Sequence, residues 1–176
     1  MPCRQVNERN GQLILVKGGL ASGKTYILND LSRYAAEAGA IVLTATCALS
    51  EQNLQAGVVE QLFSNTELPP ELDSRMSGTM TMDVQTPAQV SAGHQLVHPR
   101  TLGFAPEMCN VLLDLSKGQP IVICIDDIQF SDTLSLQMLL YLLRRMRSCR
   151  MLVVLSERQA VPIVTGPRGR IGQEGY

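Results

Sequence analysis

The sequence predicts an α/β fold with three layers: a central, mostly parallel sheet and helices on both of its faces. Four short apolar runs rich in β-branched residues, at 13–16, 41–43, 121–125 and 151–155, are typical of strands that are buried on both faces. Helical patterns lie between these runs. Strands that alternate with helices of this length favour βαβ units and a doubly wound sheet.

The first two helices are predicted by apolar periodicity. After Thr25, apolar residues recur along one helical face as far as Ala38, and Gly39 follows where a glycine often ends a helix. A second helix is predicted near residues 56–63. The first of these helices connects the first strand to the second, and the second helix follows the second strand.

The third and fourth helices carry boundary signals as well as apolar stripes. Pro106 is predicted at the first position of the third helix, where its missing N–H costs nothing, and Gly118 is predicted at the end. The fourth helix is predicted from about residue 132 to 147, with Ser131 or Asp132 as its N-cap.

Domain organisation follows from these elements. Residues 1–160 are predicted to form one domain, because a chain of 176 residues has room for one sizeable core. Residues 64–100 are polar and rich in Thr, Ser and Pro, so we expect partial helix and mobility there. Residues 161–176 are predicted to contain a short strand at 162–165 and a flexible tail.

Composition excludes several classes of function. Hydrophobic residues make up 45% of the chain and charged residues 18%, and no apolar run is long enough to span a membrane. A formal net charge of −1 predicts no direct binding of nucleic acid. Five cysteines without metal-ligand spacing are typical of buried free thiols, and no signal sequence is visible, so we expect a cytoplasmic protein.

A phosphate-binding loop motif follows the first predicted strand. The run from Gly18 to Thr25 fits G-x-x-x-x-G-K-[ST] and precedes an amphipathic helix, which is the context that the motif requires. The backbone of the loop is predicted to bind phosphate through N–H groups, and Lys24 is predicted to reach the β- and γ-phosphates. The residues predicted to bind the nucleotide in this loop are Gly18, Gly19, Ala21, Ser22, Gly23, Lys24, Thr25 and Tyr26.

A second anchor for Mg²⁺ is predicted at the end of the third strand. Asp126 and Asp127 follow the buried run at 121–125, and the carboxylate of Asp126 with the hydroxyl of Thr25 would hold the metal ion. Asp127 stands where a carboxylate can deprotonate the attacking water. The alternative is that the pair begins a loop and caps the next helix.

The fourth strand ends in a polar run that includes Ser156 and Arg158. These side chains would lie at the ligand-binding edge of an open α/β sheet, where they could sense the γ-phosphate. The alternative interpretation is that these polar residues only lead the chain out of the strand into solvent and bind no ligand. Catalytic roles are therefore predicted for Asp127, Lys24 and Arg158, and a nucleotide contact for Ser156.

Three stretches together resemble a known family. The sequences ILVKGGLASGKTYIL, AGVVEQLF and IVICIDDIQFSDTLSLQMLLYLLRRM are similar to the N-terminal ATPase domain of large ATP-binding regulators of the LuxR type, which are signal-transduction ATPases related to AAA proteins. The resemblance implies a P-loop NTPase fold with the phosphate-loop strand beside the sensor strand, binding of ATP with Mg²⁺, and control of a distant DNA-binding helix-turn-helix.

The chain departs from that family in three ways. Phe130 stands where the family usually has Trp, only about a dozen polar residues precede the first strand, and the sequence stops after the sensor strand. We therefore expect a truncated core without the lid and helix-turn-helix, whose partners are ATP or ADP, the missing regulatory and DNA-binding parts, and further copies of itself.

Three functions remain open from the sequence. The first is a nucleotide switch that binds and slowly hydrolyses ATP as part of a transcriptional regulator. The second is a nucleotide-sensing or assembly module without turnover, and the third, ranked last, is a small-molecule kinase, for which the irregular segment offers only Arg75 and Arg100 as lid arginines.

Overall fold

The computed structural model describes residues 10–54, 56–64 and 99–159, with the backbone alone for 99–107. This part of the chain contains the strands β1 (Gln12–Gly18), β2 (Ile41–Thr46), β3 (Ile121–Asp126) and β4 (Met151–Arg158). Its α-helices are α1 (Lys24–Glu37), α2 (Gly57–Ser64), α3 (Pro99–Gly118) and α4 (Thr133–Arg145). Short 3₁₀ turns span Leu49–Glu51, Ile128–Phe130 and Met146–Ser148.

The four strands form one parallel sheet in the order β1-β4-β3-β2. β3 and β4 are central and almost entirely buried, as expected of strands covered on both faces. β1 carries the phosphate-loop motif and pairs with β4, so that Gly18 lies opposite Arg158. All four strands end at the same edge of the sheet, which places the acidic pair of β3 near the loop after β1.

Helices cover both faces of the sheet, and this confirms the predicted three-layer α/β architecture. α1 packs on one face, where its Leu28 and Ala35 form a cluster with Val122, Cys124, Leu152 and Val154 of β3 and β4. The helices α2, α3 and α4 contribute to the larger cluster on the other face. Apolar side chains that alternate along β3 and β4 supply both clusters, which is the reason that these strands read as continuous apolar runs.

Two predicted boundaries were wrong. Pro106 lies inside α3, which begins at Pro99, so it is Pro99 that stands at the first helical position. β4 continues to Arg158 and does not end at residue 155, because its backbone pairs with β1 as far as Gly18. The polar run that includes Ser156 is therefore part of the strand.

Several predictions lie outside the described residues. These are the partial helix expected within 65–98, the strand at 162–165 and the tail at 161–176. The predicted burial of the cysteines is confirmed for Cys47, Cys109, Cys124 and Cys149. None of the helices in the described part of the chain combines the length and the apolar character that a membrane span requires.

Candidate functional site

The loop between β1 and α1 curls tightly. Gly23 has a φ of 84° and Ala21 a φ of 55°, both in the left-handed region. A Cβ atom on Gly18 would lie 2.5 Å from the hydroxyl oxygen of Ser22, so the close approach of Ser22 depends on a glycine there. The loop therefore folds back on itself between the strand and the helix.

The N-terminus of α1 leaves its backbone donors free for a ligand. Gly23 stands at the N-cap without a capping side chain, and the first turn holds no acidic residue. The first backbone donor of the helix that meets a carbonyl is Ile27 N–H, which donates to Gly23 O at 3.0 Å. Unpaired N–H groups and the helix dipole together favour an anion at this position.

Lys24 supplies a buried positive charge to the loop. Its side chain is buried, and its ammonium donates to the carbonyl oxygens of Gly18 at 3.1 Å and Gly19 at 2.8 Å. A third, longer bond of 3.4 Å reaches Ser22 Oγ. No carboxylate lies within salt-bridge distance of this ammonium among residues 10–54, 56–64 and 99–159. Within the described residues the charge is solvated by neutral oxygens, which suits an anionic ligand.

Thr25 and Asp126 meet across the sheet edge. Thr25 Oγ1 donates to Asp126 Oδ2 at 2.5 Å, although the two residues are 101 positions apart in the sequence. The other carboxylate oxygen accepts from the Ser156 hydroxyl and from Asp127 N–H, the latter at 3.1 Å. A hydroxyl and a carboxylate are the hard oxygen ligands that Mg²⁺ binds together with water and phosphate.

This donor set fits Mg²⁺ held partly by a nucleotide. No group of three or more His, Cys, Asp or Glu that could hold a metal ion by itself is found among the described residues. Mg²⁺ usually keeps several water ligands and is bound through one or two carboxylates plus substrate phosphates. One hydroxyl and one carboxylate beside a phosphate loop are therefore enough for such a site.

Asp127 is held by contacts from β4 and from the turn that follows it. Its backbone has a φ of 51°, and its N–H donates to Ser156 Oγ at 2.9 Å. Gln129 Nε2 donates to Asp127 Oδ1 at 3.0 Å, and the guanidinium of Arg158 lies 3.5 Å from Oδ2. That guanidinium also lies 5.8 Å from the centre of the Phe130 ring. Each oxygen of the carboxylate thus has its own donor.

A polar cavity of about 120 Å³ lies beside Thr25 and Asp126, between α1 and β2. Its other polar lining comes from the face of β2 that looks toward α1, from α1 itself and from α2. The polar lining residues are Thr25, Asn29, Ser32, Thr44, Thr46, Gln61 and Asp126. A cavity of this size with several hydroxyl and amide groups has room for water next to the metal ligands.

The structure brings most of the predicted site residues together, and Ser156 contacts the acidic pair from within β4. Ser156 is fully buried, and its hydroxyl is engaged with Asp126 and Asp127, so it lies behind the carboxylates. Tyr26 has an exposed side chain in the first turn of α1. The predicted site did not include Gln129, although Gln129 belongs to the Asp-Asp-x-Gln-aromatic-x-Asp run that carries the most specific part of the resemblance to the LuxR-type ATPases.

A family model described as "AAA ATPase domain" matches residues 3–155 of the chain. No curated protein sequence matches. Among solved structures, the chain is similar to a Drosophila ORC bound to DNA, with 15% identity, a TM-score of 0.48, and coverage of 84% of this chain and 32% of the other. It is also similar to C. elegans PCH-2, with 13% identity, a TM-score of 0.42, and coverage of 93% and 36%. The chain thus spans about a third of each.

Proposed function

The chain belongs to the AAA ATPase domain family, a family of nucleotide-binding domains, and from this premise we propose that it binds ATP with Mg²⁺ and hydrolyses it slowly as the nucleotide switch of a transcriptional regulator. The regulator role rests on the resemblance to the LuxR-type ATPases. The binding role rests on the geometry of the loop after β1 and of the ends of β3 and β4.

The observation that carries the proposal is the buried ammonium of Lys24. It is solvated by the carbonyl oxygens of Gly18 and Gly19, without a carboxylate in salt-bridge distance among the described residues. A buried cation of this kind is costly unless an anion completes its environment. The free N–H groups at the start of α1 face the same ligand, and a triphosphate matches both features.

The remaining residues have separate roles in the proposed reaction. The Thr25 hydroxyl and the Asp126 carboxylate would hold Mg²⁺, which when bound neutralises charge on the phosphates. Asp127 Oδ2 accepts a proton from water as the water oxygen bonds to the γ-phosphorus and the bond from that phosphorus to the bridging oxygen of ADP breaks. Lys24 and Arg158 stabilise the charge that develops on the γ-phosphoryl oxygens.

Ser156 has a supporting role in this scheme. Its hydroxyl donates to Asp126 and accepts from the N–H of Asp127, so it fixes both acidic residues relative to β4. We propose that it acts by holding these residues in place and makes no direct contact with the nucleotide.

One contact favours a second candidate function, a nucleotide-sensing or assembly module without turnover. The guanidinium of Arg158 lies 3.5 Å from Asp127 Oδ2, the oxygen that would receive the proton. While this ion pair persists, the guanidinium stands beside Oδ2, where the attacking water would have to lie. A site that kept the pair in the nucleotide complex would bind ATP and leave it intact.

The wider partners belong to the same proposal. ATP and ADP are the ligands, and the regulatory and DNA-binding parts of the LuxR-type proteins are the segments that the switch would control. Assembly with further copies of the chain is part of the same proposal. The control of other segments and the assembly rest on the family resemblance, whereas the geometry of the site supports nucleotide binding.

Thermal unfolding with and without Mg·ATP tests nucleotide binding. ATP at about 100 times its Kd should raise the free energy of unfolding by roughly 2.7 kcal/mol, which corresponds to about 5–10 °C in Tm for a chain of this size. Lys24→Ala should abolish the shift. Lys117→Ala is the matched control, because that ammonium is exposed and pairs only weakly with Asp114. An equal shift in Lys24→Ala and the parent would contradict the proposal.

Phosphate release separates the two candidate functions. If the chain hydrolyses ATP, the parent should release phosphate, and Asp127→Asn should stop the release while the shift in Tm with Mg·ATP remains. Release at the same rate by Asp127→Asn would remove Asp127 from the reaction. A shift in Tm without any release by the parent would establish the module without turnover.

A further inference from the structure

We propose that Gln129 is a positioning residue for ATP hydrolysis, one that holds the Asp127 carboxylate in the orientation needed to receive a proton from water. This inference rests on the proposed function, since it concerns the hydrolysis step at the same site. It goes beyond that function by assigning a role to a side chain that neither the phosphate loop nor the acidic pair contains.

The side-chain amide of Gln129 bridges two parts of the site. Gln129 lies in the 3₁₀ turn Ile128–Phe130, directly after the acidic pair. Its Nε2 donates to Asp127 Oδ1 at 3.0 Å, and its Oε1 accepts from the backbone N–H of Arg158 at 3.1 Å. One planar group therefore joins the carboxylate of the base to the end of β4.

These two contacts determine which way the amide points. The backbone N–H of Arg158 can only donate, so it requires the oxygen of the amide, and the nitrogen is left to face Asp127. An ionised carboxylate accepts hydrogen bonds and cannot donate one, so it requires the nitrogen. Both ends agree on a single orientation. A glutamate at this position would keep the acceptor for Arg158 and lose the donor to Asp127.

The two oxygens of Asp127 are held differently. Gln129 holds Oδ1, whereas Arg158 approaches Oδ2 at 3.5 Å through an exposed guanidinium. When Arg158 turns to the γ-phosphoryl oxygens of ATP, the Gln129 bond remains as the side-chain restraint on the carboxylate within the described part of the site. Oδ2 is then free to receive the proton while Oδ1 stays fixed.

The backbone of Asp127 does not by itself fix its carboxylate. Asp127 has a φ of 51° and a ψ of 49°, a left-handed conformation that aspartate adopts more readily than most residues with a side chain. Its N–H is tied to Ser156, but that bond does not restrict rotation of the carboxylate. Gln129 restricts that rotation. Reaction rates depend steeply on such orientation, since a misplacement of about 1 Å can cost on the order of a hundredfold.

The test compares Gln129→Glu with Gln129→Leu in the full chain, with kcat, KM for ATP and Tm measured for each. Both variants lack the donor to Asp127, so kcat should fall by about tenfold to a hundredfold in both, while KM stays within about twofold of the parent. If kcat falls by a similar factor in the charged variant Gln129→Glu and the uncharged variant Gln129→Leu, the cause is the lost donor and not the added charge. Gln119→Glu is the control for charge, because its amide bonds to Gly39 O at an exposed site.

A merely structural role gives a different pattern. If Gln129 only ties the turn to β4, Gln129→Glu should keep the parental kcat, because its carboxylate still accepts from Arg158 N–H, and only Gln129→Leu should be impaired. That result would overturn the inference. ATP binding without phosphate release by the parent would also overturn it and leave nucleotide binding intact, whereas a parent without any shift in Tm with Mg·ATP would remove the proposed function itself.

Discussion

At the scale of single residues, Asp132 has a buried carboxylate that joins the starts of two helices. It accepts from Ser135 N–H at 2.9 Å and Ser135 Oγ at 2.5 Å within α4. It also accepts from the N–H groups of Ala56 at 3.0 Å and Val58 at 3.4 Å, where α2 begins. Of the three carboxylates at 126, 127 and 132, the third therefore stabilises the fold, while the first two lie at the candidate site.

The sequence could predict one half of this role. Asp132 was one of two residues predicted to cap α4, and the structure confirms it in preference to Ser131. A cap is a local feature that depends on residues within one helical turn, so it is visible in the sequence. The bonds to α2 join positions 74 and 76 residues apart, and no local pattern indicates such a contact.

Replacing Asp132 should destabilise the protein strongly. Asp132→Ala leaves buried N–H groups at two helix starts without acceptors, so we expect the free energy of unfolding in urea to fall by roughly 2–4 kcal/mol. Asp30→Ala is the control, since its ion pair with Arg33 is exposed and should contribute about 0.5 kcal/mol or less. A loss for Asp132→Ala no larger than that of the control would show that water replaces the carboxylate.

At the scale of secondary-structure elements, periodicity predicted where elements lie better than where they end. β1 to β4 and α1, α2 and α4 lie where the apolar patterns placed them. α3 begins at Pro99, seven residues before the proline that was expected to start it. Pro99 follows the preference of proline for the first helical turn. That preference applies equally to Pro99 and Pro106, so it could not indicate which of the two begins the helix.

The length of β4 shows why strand ends are hard to predict. Ser156 and Glu157 are polar, and a polar residue usually marks the end of an apolar strand. In the structure β1 continues the ladder as far as Gly18 opposite Arg158, and Ser156 is fully buried because its hydroxyl finds partners on β3 and the following turn. The length of β4 therefore depends on how far β1 pairs with it, and the sequence of β4 alone does not indicate where that pairing ends.

Opposite changes in the loop after β1 should have opposite effects on stability. Gly23 has a φ of 84° with open space where a Cβ would lie, so Gly23→Ala should lower the free energy of unfolding by about 1–2 kcal/mol through backbone strain alone. Ala21 already has a φ of 55°, so Ala21→Gly should raise it by up to about 1 kcal/mol. Denaturation in urea measures both, and changes of the same sign would contradict the assigned conformations.

At the scale of the whole molecule, topology explains why part of the site could be predicted. Thr25 and Asp126 are far apart in the sequence, yet Thr25 lies just beyond the loop after β1 and Asp126 ends β3, and parallel strands end at one edge of the sheet. The pairing of Gln129 with the end of β4 could not be predicted in this way. It depends on the path of a 3₁₀ turn and on side-chain geometry between residues 29 positions apart.

The interior also buries the cysteines, which behave as small apolar residues. Cys47 follows β2 and Cys109 lies in α3, and both belong to the larger core cluster. Burial raises the pKa of the Cys47 thiol to about 11 and that of the Cys109 thiol to about 12, because the thiolate is poorly solvated in the core. Both thiols therefore stay protonated in the folded protein at neutral pH.

These thiols should make the folded protein less stable at alkaline pH. Above pH 9.0, the ordinary thiol pKa, the unfolded chain loses protons that the folded core retains, so the free energy of unfolding falls as pH rises toward 11. Each thiol contributes a slope of at most about 1.4 kcal/mol per pH unit. Urea denaturation at pH 8, 9 and 10 should show this fall.

In a chain that carries both Cys47→Ala and Cys109→Ala the stability at pH 8 should be lower, because apolar contacts are lost, but its decline with pH should be shallower. An equal decline in both proteins would mean that other groups, such as surface lysines, cause the loss of stability and that the two thiols are not linked to it.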